Sequence, residues 1–311
     1  MIAFLFLSLF TCFVSPQKVL TGIEVLKKND FDILRDKKVG IIVNHSSVDF
    51  NGKNLSDLLI DLGINLVAIF CPEHGLYGLD EAGKYIEDTN YRGVKVYSLY
   101  GKTKRPTQDM LKGIDVLVFD IQDVGARFYT YLTTMCMAME EAARHKIKFL
   151  VLDRPNPVSS IIEGPMLESD IRAFTAYIPT PVRHSLTAGE VALFYKSKFS
   201  IDVDLKIIKM EGWKRNMFFD ETGLKWINPS PNIRNLDAAI LYSGIGCFEA
   251  TNISVGRGTD SPFEFFGAPW MDNERISFEL NRSGLKGLEF YPCEKIPEDD
   301  MYRGEKVKGV C

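Results

Sequence analysis

Apolar runs of strand length alternate with amphipathic stretches over residues 39–155, and this alternation predicts a series of β-α-β units. Residues 39–44, 66–70, 94–100, 116–120 and 149–152 read as strands. Between them, Leu55, Leu58, Leu59 and Leu62 recur at helical spacing, residues 106–112 fit a short helix, and residues 129–145 fit a long one. The implied architecture is α/β, a Rossmann-like parallel sheet domain followed by a smaller, C-terminally incomplete α/β domain. The prolines of the stretch 154–165 forbid continuous helix and weaken any strand, which sets a boundary near residue 160. The expected organisation is a signal-like segment at 1–16, a Rossmann-like catalytic domain at 17–160 and a second α/β domain at 161–311. In that second part, Thr187 to Glu190 can cap a helix running to about Phe199, while residues 205–210 and 238–242 read as strands.

The apolar run at residues 1–14 has the length of a signal-peptide core and is too short to span a bilayer. No Lys or Arg precedes it. Export is the expected fate, to the periplasm or the extracellular space. A lipid anchor on Cys12 is the less favoured reading, because Phe10 is bulky where a lipidation site wants a small residue.

A formal charge of -4 over 311 residues offers no global electrostatic case for nucleic acid or an anionic membrane surface. The Gly-rich dinucleotide fingerprint is absent after the first strand, where Asn44-His45-Ser46-Ser47 stands, so no nucleotide cofactor is expected. Six scattered cysteines show no zinc-site spacing and no disulfide framework.

Four carboxylates stand at or just beyond the ends of the strand-like runs: Glu73, Asp120, Asp123 and Asp153. In an open parallel sheet, ligands bind outside the carboxyl ends of the strands, so these acids should converge on one cleft. Convergent acids point to hydrolysis. Glu73, directly after a buried run, is suited to general-acid work if desolvation raises its pKa; the plain alternative is a surface-loop carboxylate. His74 beside it can bind substrate or set its neighbour's protonation. Glu140 shares a helix face with Tyr129, Thr133 and Cys136, which turns it toward the sheet unless helix rotation exposes it. Asp120 and Asp123, with Gln122, Gly125 and Arg127, allow three readings. These are a hard-cation site, a sugar site in which Arg127 pairs an anionic group, or Asp120 bracing Arg127. Arg154, Arg183, His184 and Arg257 are further donors on loops. The aromatics Tyr129, Tyr131, Trp213, Trp226, Tyr242 and Trp270 are read as core before sugar platform.

Six motifs in order make the chain recognisable. They are Pro72-Glu73-His74-Gly75, Ser98-Leu99-Tyr100-Gly101, the run from Phe119 to Tyr131, Leu152-Asp153-Arg154-Pro155-Asn156-Pro157, Pro229-Ser230-Pro231-Asn232 and Gly256-Arg257-Gly258-Thr259. Together they resemble the NamZ-type exo-β-N-acetylmuramidases, from about Gly22 to the last residue. The resemblance implies a glycoside hydrolase with its site between a Rossmann-like domain and a smaller one. Its substrate would be peptidoglycan fragments (MurNAc-GlcNAc), from which it removes N-acetylmuramic acid at the non-reducing end. It implies Glu73 as acid and Glu140 as base or nucleophile. Asp120, Asp123, Asn252 and Arg257 then belong to the substrate shell, with the lactyl carboxylate as the arginines' task. No cofactor and no metal is implied. Two glycines of the family pattern are replaced, by Ser185 and Ala250, and the family continues beyond the position of Cys311, so the second domain is expected to be incomplete. Two rivals follow: a muropeptide-binding module without catalysis, and a metal-dependent hydrolase built on Asp120 and Asp123.

Overall fold

The computed structural model describes residues 18–81 and 83–311; the signal-like segment 1–16 lies outside them. A short helix α1 (Gly22–Lys28) precedes β1 (Val39–Val43), α2 (Leu55–Asp61) and β2 (Leu66–Cys71). There follow β3 (Thr89–Tyr91), β4 (Val94–Ser98), α3 (Gln108–Leu111), β5 (Val116–Asp120), α4 (Tyr131–Arg144) and β6 (Lys148–Leu152). Next come α5 (Ala188–Lys198), β7 (Leu205–Ile208) and α6 (Leu236–Ile245), then β8 (Phe266–Ala268), α7 (Asn273–Arg282), β9 (Pro292–Lys295) and β10 (Val307–Val310).

The main sheet has seven strands in the order β3-β4-β2-β1-β5-β6-β7. All pairings are parallel except the edge pair β3-β4. The central strands β1 and β5 are buried at every position, as expected for a sheet covered on both faces. One core layer, including Phe70, Phe119, Met135 and Tyr195, packs α4 and α5 on one face; the other, including Ile23, Leu59 and Ile69, packs α1 and α2 on the opposite face. Strand β7 lies beyond the boundary expected near residue 160 yet pairs with β6 in this same sheet.

Helix α5 begins as expected: the Thr187 hydroxyl accepts from Glu190 N while the Glu190 carboxylate accepts from Thr187 N. The strand expected at 238–242 is instead the middle of α6. Asn235 Oδ1 accepts from Ala238 N and starts the helix, and Ala238, Ala239 and Tyr242 form its buried face. The smaller part of the molecule is an antiparallel sheet, β8-β10-β9, packed by α7. A disulfide joins Cys293 to Cys311 across β9 and β10, with a Cα–Cα distance of 6.0 Å. Among the described residues, no helix is long and apolar enough to cross a membrane.

Candidate active site

A cleft of about 450 Å³ opens between the carboxyl end of the main sheet and the segments around α6. Glu73 and His74 enter it from the end of β2, Tyr129 and Thr130 from the start of α4, Ser230 and Asn232 from the Pro229-to-Asn232 loop, and Tyr242, Glu249 and Arg257 from the smaller part.

Glu73 is buried, and both of its oxygens accept hydrogen bonds: Oε2 from Thr130 Oγ1 at 2.6 Å and Oε1 from Gly83 N at 3.0 Å. Thr130 is the N-cap of α4, so the positive end of that helix dipole faces the carboxylate. Tyr100 stands beside it; burial, and then the Glu73 charge, push its phenol up to about 12. His74 takes a left-handed conformation (φ 70°) that lets its Nδ1 approach Asp80 O to 2.6 Å, and burial lowers its pKa. The Tyr129 hydroxyl is buried at the cleft wall with no hydrogen-bond partner among the described residues. Its ring packs edge-on against Tyr131 and Tyr242.

Across the cleft, Arg257 Nε and Nη2 both donate to Glu249 Oε1, at 2.8 and 2.6 Å. The structure therefore brings Glu73, His74, Tyr129 and Arg257 together and adds Glu249, directly before Ala250, which neither the strand-end pattern nor the six motifs single out.

Glu140 is elsewhere. It lies ten residues along α4 from Thr130, about 15 Å at 1.5 Å per residue. Its carboxylate accepts from Tyr195 (2.5 Å), Tyr177 (2.7 Å) and Arg105 (3.1 Å), which together hold its pKa down against burial. Glu140 does not line the cleft and its oxygens are committed to these three donors, so it is a structural hub and not the partner of Glu73.

The aspartates are internal braces. Both oxygens of Asp120 accept from Arg154, Oδ1 from Nε at 2.5 Å and Oδ2 from Nη2 at 2.9 Å, and Asp120 is fully buried. With both oxygens committed to a guanidinium, Asp120 is not a cation ligand in waiting. Nor does it brace Arg127, whose Nη1 donates to Pro165 O and Thr180 O. Asp123 Oδ2 accepts from Gly125 N at 2.7 Å, where a positive φ of 80° favours glycine. Burial pushes Asp123 up to about 7 and His184 down to about 4, so their 3.8 Å contact joins two largely neutral groups between those values. Asp153 accepts from Thr187 Oγ1 and Gly189 N at the start of α5, and burial raises it to about 6. The Asn252 side chain is exposed outside the cleft, where Asn232 stands in the lining instead.

The family models for exo-beta-N-acetylmuramidase NamZ match this chain in two parts, the N-terminal model over residues 39–237 and the C-terminal model over residues 240–311. The peptidoglycan beta-N-acetylmuramidase NamZ of Bacillus subtilis strain 168 is 45% identical over 299 residues, covering 94% of this chain and 72% of that protein. Two crystal structures of DUF1343 family proteins from Bacteroides fragilis share the fold. One has a TM-score of 0.87 at 42% identity and the other 0.78 at 32%, each covering 94% of this chain and 76% of the other. Fold, cleft and sequence agree: the chain belongs to the NamZ exo-beta-N-acetylmuramidase family.

Proposed function

We propose that this protein is an exo-acting glycoside hydrolase that releases N-acetylmuramic acid from the non-reducing ends of peptidoglycan fragments. The observation that carries the reading is the buried Glu73 facing a cleft whose opposite wall presents Glu249 and Arg257. Glycosidases place two carboxylates about the scissile bond, and Glu73 and Glu249 are the two glutamates of this cleft. Glu73, fixed by Thr130 and Gly83, acts as the proton-transfer group at the glycosidic oxygen. Glu249 supplies the second carboxylate, toward the positive charge that develops on the sugar ring. Arg257 spends Nε and Nη2 on Glu249 and offers Nη1 to the lactyl carboxylate that distinguishes the muramyl sugar. Tyr129, with its unpartnered hydroxyl, serves a sugar hydroxyl or amide.

Export to an oxidising compartment belongs to the same proposal, supported by the Cys293–Cys311 disulfide, since such bonds are rare in a reducing cytosol. The test is a pair of disaccharides. MurNAc-β-1,4-GlcNAc should be split into its two sugars while GlcNAc-β-1,4-MurNAc is left intact; cleavage of both at similar rates would overturn the exo-muramidase reading.

A further inference from the structure

The segment that carries Glu249 and Arg257 is tied to the core of the main sheet through Phe248, Val255 and Phe263, and its outer side rests on other elements. On one side, residue Ser254 pairs with Gly267 of β8 through two backbone hydrogen bonds, 2.7 and 2.9 Å long. On the other side lies the connection between β9 and β10. Glu298 N donates to Gly258 O at 2.8 Å, and the Asp299 main chain approaches so closely that a Cβ on Gly258 would sit 2.2 Å from Asp299 O. Lys295 Nζ reaches Asp260 Oδ1 at 2.7 Å and Ser261 Oγ at 3.1 Å. The Tyr302 hydroxyl donates to Asn252 O at 2.7 Å, and the Asp300 carboxylate lies 3.9 Å from Arg257 Nε. Residues 295–302 thus back the segment at Asn252 and from Arg257 to Ser261, and Glu249 is reached through its ion pair with Arg257.

That backing loop has little apolar anchorage of its own. Ile296 is 59% exposed, and of residues 296–306 only Pro297 is buried. Ordering so exposed a stretch costs backbone entropy that its few apolar contacts offset poorly. The Cys293–Cys311 bond closes the β9–β10 hairpin at its open end, where the ladder that runs from Lys295–Val307 to Pro292–Val310 finishes, and a covalent closure removes much of the hairpin's freedom from the unfolded and locally opened states.

We propose that the Cys293–Cys311 disulfide and Tyr302 are positioning elements of the cleft: they hold the 295–302 loop against residues 252–261 and thereby fix Arg257 and Glu249 for an anionic sugar. The ligand assigned to Arg257 rests on the function proposed above; the mechanical link does not. Reduction by a dithiol breaks the Sγ–Sγ bond and leaves two thiols. The reagent supplies two electrons and two protons and closes into its own disulfide.

The experiment compares the full chain, oxidised and treated with dithiothreitol, by hydrogen exchange and by calorimetric titration with N-acetylmuramic acid and N-acetylglucosamine. Reduction should speed exchange in residues 252–261 as well as in 293–311. It should also raise the dissociation constant for N-acetylmuramic acid roughly five- to tenfold, the scale of one charge-assisted contact, with little change for the sugar lacking the carboxylate. The Cys293→Ser/Cys311→Ser variant should match the reduced protein and ignore the reagent. Tyr302→Phe, which keeps the disulfide, should shift exchange and affinity in the same direction by a smaller factor. Faster exchange confined to 293–311, with residues 252–261 unchanged, would overturn the proposal. If the exchange result holds but no N-acetylmuramic acid binds even to oxidised protein, the functional reading fails and the mechanical link stands.

Discussion

The Thr130 hydroxyl, at the N-cap of α4, makes no capping bond to its own helix and instead donates to Glu73 Oε2 at 2.6 Å. A threonine in this position ordinarily satisfies a free N–H of the first turn. Here that bond is given up to fix a carboxylate at the end of β2, which couples the strand that delivers Glu73 to the helix that floors the cleft.

Thr130→Val therefore separates catalysis from folding. Helix α4 loses no capping bond, while Glu73 loses one of its two donors. The expected result is a fall in kcat of roughly ten- to a hundredfold with KM changed little, from loss of orientation of the proton-transfer group. Steady-state kinetics on the disaccharide, with a thermal melt beside it, measures both halves.

Glu140→Gln should behave in the opposite way. Its carboxylate ties α4 to Tyr177, Tyr195 and Arg105, so the variant loses roughly 1–3 kcal/mol of stability while kcat stays within a few-fold of wild type. Urea unfolding and kinetics together test this; an inactive but fully stable variant would return Glu140 to the chemistry.

Much of the fold was legible because parallel strands covered on both faces are continuous apolar runs, and β1, β2, β4, β5, β6 and β7 all begin within about one residue of the expected positions. Helix α6 was misread because Ala238-Ala239-Ile240-Leu241-Tyr242 is a short apolar run without decisive period; the discriminating signal was Asn235 three residues upstream, a helix N-cap. Strands β8 to β10 carry Gly, Lys and Glu with little alternation, and no periodicity announces them. Glu73 could be found from its place at a strand end. Glu140 was misjudged because helical spacing places a residue on a face without saying how far along the helix the cleft extends. The Asp120–Arg154 pair and the Cys293–Cys311 bond depend on chain segments meeting in space, which local pattern does not encode.

Asp120→Asn tests the internal brace. Removing the charge leaves the buried Arg154 guanidinium uncompensated, and breaking such a pair costs about 3–5 kcal/mol. The variant should unfold at markedly lower denaturant, and adding divalent cations to wild type should leave its midpoint where it was.

The Asp123–His184 contact gives opposing pH dependences. His184 is held below its ordinary value by burial, so the native state resists its protonation and stability is lost as pH falls from 6.5 toward 4. Asp123 is held above its ordinary value, so the native state keeps that proton more firmly and stability is lost as pH rises from 3.8 toward 7. Over the shared window of about pH 4–6.5 the two largely offset. Asp123→Asn should therefore acquire a melting temperature that rises with pH across this window, and His184→Asn one that falls. Matching pH profiles for both variants and wild type would refute the pairing.

The most direct test of the account is the release of N-acetylmuramic acid from MurNAc-β-1,4-GlcNAc by wild-type protein and by Glu73→Gln, with products followed by mass spectrometry. The account predicts release by wild type and a rate lower by about a hundredfold or more in a variant that melts like wild type. Equal rates for the two proteins would contradict the role of Glu73, and with it the mechanism built on this cleft.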